Sequence, residues 1–194
     1  MVHLTKRQHE IVNTAIQLIA EKGIQELTIK NLSKKIGIAE SAIYRHFDSK
    51  LDILISILAM FKDNINTLNA QIKNMEASPT LKLKAMLEQR FEHFAENPTV
   101  AAVVFSEELF RNDPRLSNTV FSIMQENQNA MITIISEGQA KGEFRQEVSA
   151  EELSFMIIGA VRLIVTRWRM TGFSFDLKQE GQKLWQTIQT LIKQ

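Results

Sequence analysis

The sequence predicts an all-α protein of about nine helices, and three observations carry that prediction. Seven glycines and three prolines in 194 residues fall well short of the usual combined share of about 12%. Turns are therefore few and the elements between them long, which disfavours sandwiches and barrels. Helix-capping residues recur at nearly every boundary, and the apolar residues between them repeat at helical rather than strand spacing.

In chain order, Thr5 with Gln8 forms a capping-box pair that opens a first helix, closed by Gly23. Thr28 opens a short second helix ended by Gly37, and a third runs from Ala39 or Glu40 to His46. Ser49 with Asp52 opens the fourth. Its apolar positions Leu51, Leu54, Leu58, Phe61, Ile65, Leu68, Ile72 and Met75 form one stripe along roughly 27 residues. The stripe stops after a few heptads, so it is read as packing within its own subunit rather than as a free coiled coil. Ser78-Pro79, Asn97-Pro98 and Asp113-Pro114 each place a side-chain acceptor before a proline at the first helical position, where the missing N–H costs nothing. Ser149 with Glu152 starts the eighth helix and Asp176 the ninth, while Gly142 and Gly172 close the seventh and eighth.

Composition narrows the function classes. The chain is 44% hydrophobic and 23% charged, as expected of a globular protein. Without cysteine there is no disulfide framework, thiolate catalysis or sulfur-held metal site. No segment reads as a signal peptide or membrane span: the apolar run 155–165 is too short and contains Arg162. The expectation is a cytoplasmic protein with no membrane partner. The net charge of +1 is uneven: residues 1–50 carry eight Lys and Arg against five acids, which points weakly to a polyanion. P-loop, G-x-G-x-x-G, G-x-S-x-G and H-E-x-x-H patterns are all missing. The adjacent acids Glu107 and Glu108 point about 100° apart on a helix, unsuited to act as a pair. The chain is read as a non-enzyme that needs no cofactor.

The informative stretch is TIKNLSKKIGIAESAIYRHFDSK, residues 28–50. A two-turn helix, a tight glycine turn and a second short helix form the helix-turn-helix arrangement, whose second helix enters a major groove. Leu32, Ile36, Ile38, Ile43 and Phe47 supply the inward set, leaving Glu40, Ser41, Tyr44 and Arg45 outward. Ser41 and Ala42 are small enough to approach base edges, the one with a hydroxyl and the other with a methyl. Thr28 at a helix N-terminus, Lys50 in the first turn of the fourth helix, Tyr44 and His46 are candidates for phosphate. The bland alternative treats Lys30, Lys34 and Lys35 as a solvated face and Tyr44 as a packed aromatic.

Residues 6–55 resemble the N-terminal domain of the TetR family of transcriptional regulators. The resemblance rests on Gly23, Leu27-Thr28, Ile36-Gly37-Ile38 and above all Ile43-Tyr44-Arg45-His46-Phe47 followed by Ser49-Lys50. It implies a helix-turn-helix DNA-binding domain over residues 1–48 and an effector-binding and dimerisation domain over 49–194. It further implies that Thr28, Tyr44, His46 and Lys50 hold phosphates while Glu40, Ser41, Ala42 and Lys30 face bases. Two positions depart from the family pattern. Ala39 stands where the family has a Ser or Thr cap, weakening that cap by about 1 kcal/mol. Glu40 is acidic where a basic or neutral residue is commoner, and either accepts from a cytosine amine or only satisfies the helix dipole.

A single recognition helix reads too few base pairs to find one site in a genome, so a homodimer on two half-sites is expected. The resemblance places the dimer surface on the last two helices. There Leu177, Gly181, Leu184, Ile188 and Leu191 run at helical spacing, and Gly181 and Gly159 suggest close approach of a partner helix. The family binds an effector among its fifth to eighth helices. Candidate lining residues are Phe91, Phe94, Phe105, Phe110, Phe121, Met124 and Met131, with Arg90, His93, Gln128 and Arg162 as polar handles. Each has a plainer reading as core, His93 included. Arg162 interrupts an apolar run and, if buried, needs an anion: Glu107 or Glu108, an intersubunit group, or the carboxylate or phosphate of a ligand.

The sequence therefore predicts a homodimeric, ligand-responsive repressor that binds a palindromic operator on double-stranded DNA and leaves it when a small apolar or amphipathic effector binds. The rival is a DNA-anchored protein whose larger domain recruits a protein partner and takes no small molecule.

Overall fold

The computed structural model describes residues 4–105 and 113–193. Among these it contains nine α-helices and no strand: α1 (Lys6–Lys22), α2 (Ile29–Ile36), α3 (Glu40–Tyr44), α4 (Lys50–Lys73), α5 (Pro79–Glu96), α6 (Pro98–Val104), α7 (Pro114–Ala140), α8 (Ala150–Met170) and α9 (Leu177–Ile192). A 3₁₀ turn at Ile24–Glu26 follows α1.

The caps explain most boundaries. Thr5 and Gln8 bond reciprocally at the start of α1, and Ser149 and Glu152 do the same for α8. Ser78 caps α5 through the Leu81 amide, Asp176 caps α9 through the Lys178 and Gln179 amides, and Asp113 accepts from the Arg115 amide at 2.8 Å. Asn97 acts differently from the expectation: its Nδ2 donates to the His93 carbonyl at 3.0 Å and so closes α5. Helix α4 has 24 residues, shorter than the stripe suggests, because the chain turns at Asn74 and Met75 to reach Ser78-Pro79, leaving Met75 exposed.

Packing groups the chain into two compact units, Met1–Asn64 with Pro98–Ser122, and Ile65–Asn97 with Ile123–Gln194. The division falls inside α4, inside α7 and at the Asn97-Pro98 junction. In the first unit, α1 buries Ile11, Val12, Ala15, Leu18 and Ile19, and α2 and α6 both pack on it. Leu32, Ile43 and Phe47 are buried, and Ile36 and Ile38 half-buried. Gly37 joins α2 to α3 at φ 80°, ψ 36°, a left-handed conformation in which any β-carbon is strained. Arg115 reaches Asp52 at 3.3 Å, and Lys62 donates to the Ser122 hydroxyl.

The core of the second unit comprises Ile72 from α4, Leu83, Met86 and Leu87 from α5, Met131, Ile134 and Ile135 from α7, Leu153 and Ile157 from α8, and Trp185, Ile188 and Ile192 from α9. Phe144, in the α7–α8 connection, is fully buried against Gly138, where a β-carbon would stand 2.2 Å from its ring. The Arg145 amide donates to the Ile192 carbonyl at 2.8 Å and fastens this connection to the end of α9.

Helix α9 corrects part of the expected dimer stripe. Its buried face is Leu177, Gly181, Trp185, Ile188 and Ile192, and it packs on α5 of the same chain. Leu184 is half-buried and Leu191 exposed. The close approach at Gly181 is to Phe91: a β-carbon there would lie 2.4 Å from Phe91 Cδ2. Gly181, Leu177 and Ile188 thus serve their own subunit's core, because helical spacing identifies a face but not the neighbour it meets.

Candidate functional site

Helix α3 is five residues long, shorter than expected, and ends in a tight turn where the His46 amide donates to the Ile43 carbonyl. No side chain caps its start at Ala39. Tertiary packing therefore holds it: Ile43 and Phe47 are buried, and Gln8 Nε2 of α1 donates to the His46 carbonyl at 3.2 Å. With that face turned inward, Glu40, Ser41, Tyr44 and Arg45 are exposed, while Ala42 and His46 are half-buried. Tyr44 is 51% exposed, which removes the reading of it as a packed aromatic.

The other candidate contacts lie in the same unit. Thr28 is exposed and caps α2, its Oγ1 accepting from the Asn31 amide at 3.0 Å, which leaves the hydroxyl proton for an external acceptor. Lys30 and Lys34 are exposed, whereas Lys35 is ion-paired with Glu21 at 2.5 Å. Lys50 opens α4 and is half-buried; desolvation pulls its pKa below the ordinary lysine value. A phosphate oxygen would replace the water that this ammonium has lost. The arrangement offers a short outward helix with hydroxyl, phenol, guanidinium and carboxylate groups beside cations, donors and acceptors of the kinds that read base edges and grip a sugar–phosphate backbone.

The effector candidates divide. Phe105 and Phe121 belong to the first unit and the remainder that are described to the second. Phe121 is 60% exposed and Met124 is exposed too, so neither lines an interior of this chain. Phe91, Phe94 and Met131 are buried; Phe105 is half-buried. Phe110, Glu107 and Glu108 lie outside the described residues. Gln128 donates to the Ser154 hydroxyl at 3.1 Å, and Ser154 is itself fully buried.

The arginines exchange roles. Arg162 is only half-buried, so the apolar run around it in sequence does not bury it. Arg90 is 8% exposed, and its Nη2 donates to the Asn69 Oδ1 at 3.0 Å and to the Asn127 Oδ1. Burial lowers its pKa to about 10, leaving it cationic at neutral pH. One turn on, burial and then the Arg90 charge hold the His93 pKa below the ordinary histidine value, with Glu96 opposing. Asn69 and Asn127 escape sequence reading because isolated asparagines on polar-faced helices carry no periodic signal. A cleft of about 420 Å³ lies between α4, α5 and α7, with Asn69, Lys73, Lys82, Met86 and Ile134 on its walls.

Comparison with known proteins agrees with both halves of the chain. Residues 11–57 match the model for bacterial regulatory proteins of the tetR family, and residues 58–192 match the C-terminal region of YsiA-like proteins. The fatty acid metabolism regulator protein of Bacillus subtilis (strain 168) is 28% identical over 172 residues, covering 87% of this chain and 86% of that protein. The fatty acid degradation regulator FadR from Bacillus halodurans superposes with a TM-score of 0.84 at 25% identity, over 97% of both chains. FadR from Bacillus subtilis, solved in complex with stearoyl-CoA, gives 0.79 at 26% identity over 95% of this chain and 97% of that one. Together with the exposed recognition helix, these matches identify the chain as a DNA-binding transcriptional regulator that belongs to the tetR family of bacterial regulatory proteins.

Proposed function

We propose that the protein is a homodimeric repressor of a palindromic operator, released by a long-chain acyl effector. The observation that carries the DNA half is that α3 buries Ile43, with Phe47 buried just beyond its end, and leaves Ser41 and Tyr44 exposed. On this reading Thr28, Tyr44, His46 and Lys50 hold phosphates, while Lys30, Glu40, Ser41, Ala42 and Arg45 address base edges.

Dimerisation is supported by α8. Phe155 is 67% exposed and Leu163 61%, one turn either side of the exposed Gly159, and Met156 and Met170 stand exposed on the same helix. An apolar stripe of this kind supports the reading of α8 as a surface that a second subunit covers. Gly159 has nothing within 4 Å of its β-position, room that a partner helix would fill.

The effector class follows from the stearoyl-CoA held by the Bacillus subtilis relative. For release, the effector must bind more tightly to the dimer geometry whose recognition helices are wrongly spaced for successive major grooves. The test is anisotropy of a duplex selected from a random pool by the protein itself. Stearoyl-CoA or lauroyl-CoA should lower affinity at least tenfold, and Ser41→Ala should change the preferred half-site. If no acyl compound alters affinity while a protein partner co-purifies with the DNA complex, the recruiting reading replaces this one.

A further inference from the structure

Among the described residues, Arg90 is a buried charge with no carboxylate bonded to it. Removing a guanidinium from water is costly, and proteins normally offset that cost with a carboxylate. Arg90 has none among the described residues: its partners are the neutral amides of Asn69 and Asn127, both reached through Nη2. Nη1 and Nε make no hydrogen bond among the described residues, so each keeps an N–H for one acceptor oxygen. Asn69 also stands on the wall of the 420 Å³ cleft, where Met86 and Ile134 supply apolar surface and Lys73 and Lys82 add positive charge. Glu137, the acid on the cleft wall, is held by Lys82 at 3.3 Å and Lys141 at 2.8 Å, so it is committed to lysines and not to Arg90.

We infer that Arg90 is the receptor for the anionic head, carboxylate or phosphate, of an amphiphilic effector whose chain lies along apolar surface of the second unit. Asn69 and Asn127 orient the guanidinium toward that head, and the ligand supplies the missing counter-charge. The inference rests on the reading of the protein as an effector-controlled regulator and adds to it the group that selects the effector's charge. A buried cationic donor discriminates an anion from an alcohol or a cation by its charge, which an apolar pocket cannot do.

The experiment holds the chain constant and varies the head. Binding of laurate, 1-dodecanol, dodecyltrimethylammonium, lauroyl-CoA and free CoA to the intact protein is measured by calorimetry and thermal shift. Laurate or lauroyl-CoA should bind at least tenfold more tightly than dodecanol, and the ammonium should bind least. Preference for laurate assigns the carboxylate; preference for lauroyl-CoA with weaker binding of CoA assigns the phosphate of a chain-bearing ligand. Arg90→Gln should bring the anion to within threefold of dodecanol, and Arg90→Lys should recover part of the difference. Should Arg90→Gln not fold, Asn69→Asp supplies a carboxylate in place. That variant should melt at a higher temperature without ligand and lose at least tenfold in anion affinity, a pairing of effects that a purely structural Arg90 would not give. Equal binding of anion and alcohol, retained discrimination in these variants, or no binding of any probe overturns the inference. Anion binding independent of Arg90, with operator release intact, removes the inference and leaves the function standing; Arg90-dependent binding without release does the opposite.

Discussion

On the proposed contacts, Tyr44→Phe and Lys50→Gln divide the phosphate grip into a neutral part and a charged part, and the two should respond differently to salt. Tyr44 is exposed and presents only its hydroxyl to a phosphate, so the phenylalanine variant removes one hydrogen bond per subunit and no charge. A hydrogen bond to a charged acceptor contributes about 1.5 kcal/mol at the low end, and a dimer loses it twice, about 3 kcal/mol or ~100-fold in Kd. The slope of log K against log salt should not change. Lys50 gives the converse. Each neutralised phosphate contributes about 0.9 to that slope, so Lys50→Gln should flatten it by ~1.8 for a dimer. Between about 0.05 and 0.2 M salt the variant should then lose roughly tenfold less affinity than the parent protein. Fluorescence anisotropy on the selected duplex measures both. A Tyr44→Phe effect under threefold, together with an unaltered slope for Lys50→Gln, would place the backbone contacts elsewhere and refute the assignment.

Three further outcomes follow. Gly181→Ala should lower the urea midpoint: its β-carbon would meet Phe91 Cδ2 at 2.4 Å, an overpacking cost of about 1–3 kcal/mol against a helix-propensity gain of about 1. In a Phe91→Ala background the same change should stabilise, and a stabilising effect in the parent background would refute the close contact. Leu163→Glu, on the exposed stripe of α8, should convert dimers to monomers in sedimentation and weaken operator binding, whereas unchanged sedimentation removes α8 from the interface. Glu152 bonds to Ser149 at the start of α8, and those hydrogen bonds hold its carboxyl below the ordinary 4.5. Its contribution is fully present above that ordinary value and disappears as pH falls through the lower folded one. Glu152→Gln should accordingly flatten the acid limb of melting temperature as pH falls below that ordinary value, and an unchanged limb counts against the capping box as its source.

How far the sequence could be read depended on whether the decisive interaction was local. Capping pairs such as Thr5 with Gln8 and Ser149 with Glu152 act within four residues, so spacing alone revealed them and the starts of α1 and α8 followed. The inward set of the recognition unit was legible for the same reason, since Ile43 and Phe47 share a face four residues apart. Contacts between distant segments were not. Gly181 signalled a close approach, but its partner, Phe91, lies ninety positions away and could not be told from a second subunit. Arg162 sits among apolar neighbours in sequence yet is half-solvated, whereas Arg90, between Gln89 and Phe91 in a polar stretch, is the buried cation. Phe121 and Met124 share the spacing of core residues and point outward, because periodicity fixes relative directions along a helix and leaves its rotation about its own axis open.

The construction of α3 bears on how this regulator changes over generations. Two side chains, Ile43 and Phe47, anchor the element, and the four that project outward do no work in the subunit's core. Substitution at 41 or 45 should therefore carry little of the folding penalty that accompanies most substitutions, and on the proposed base contacts promoter choice can diverge between descendants while the scaffold stays as it is.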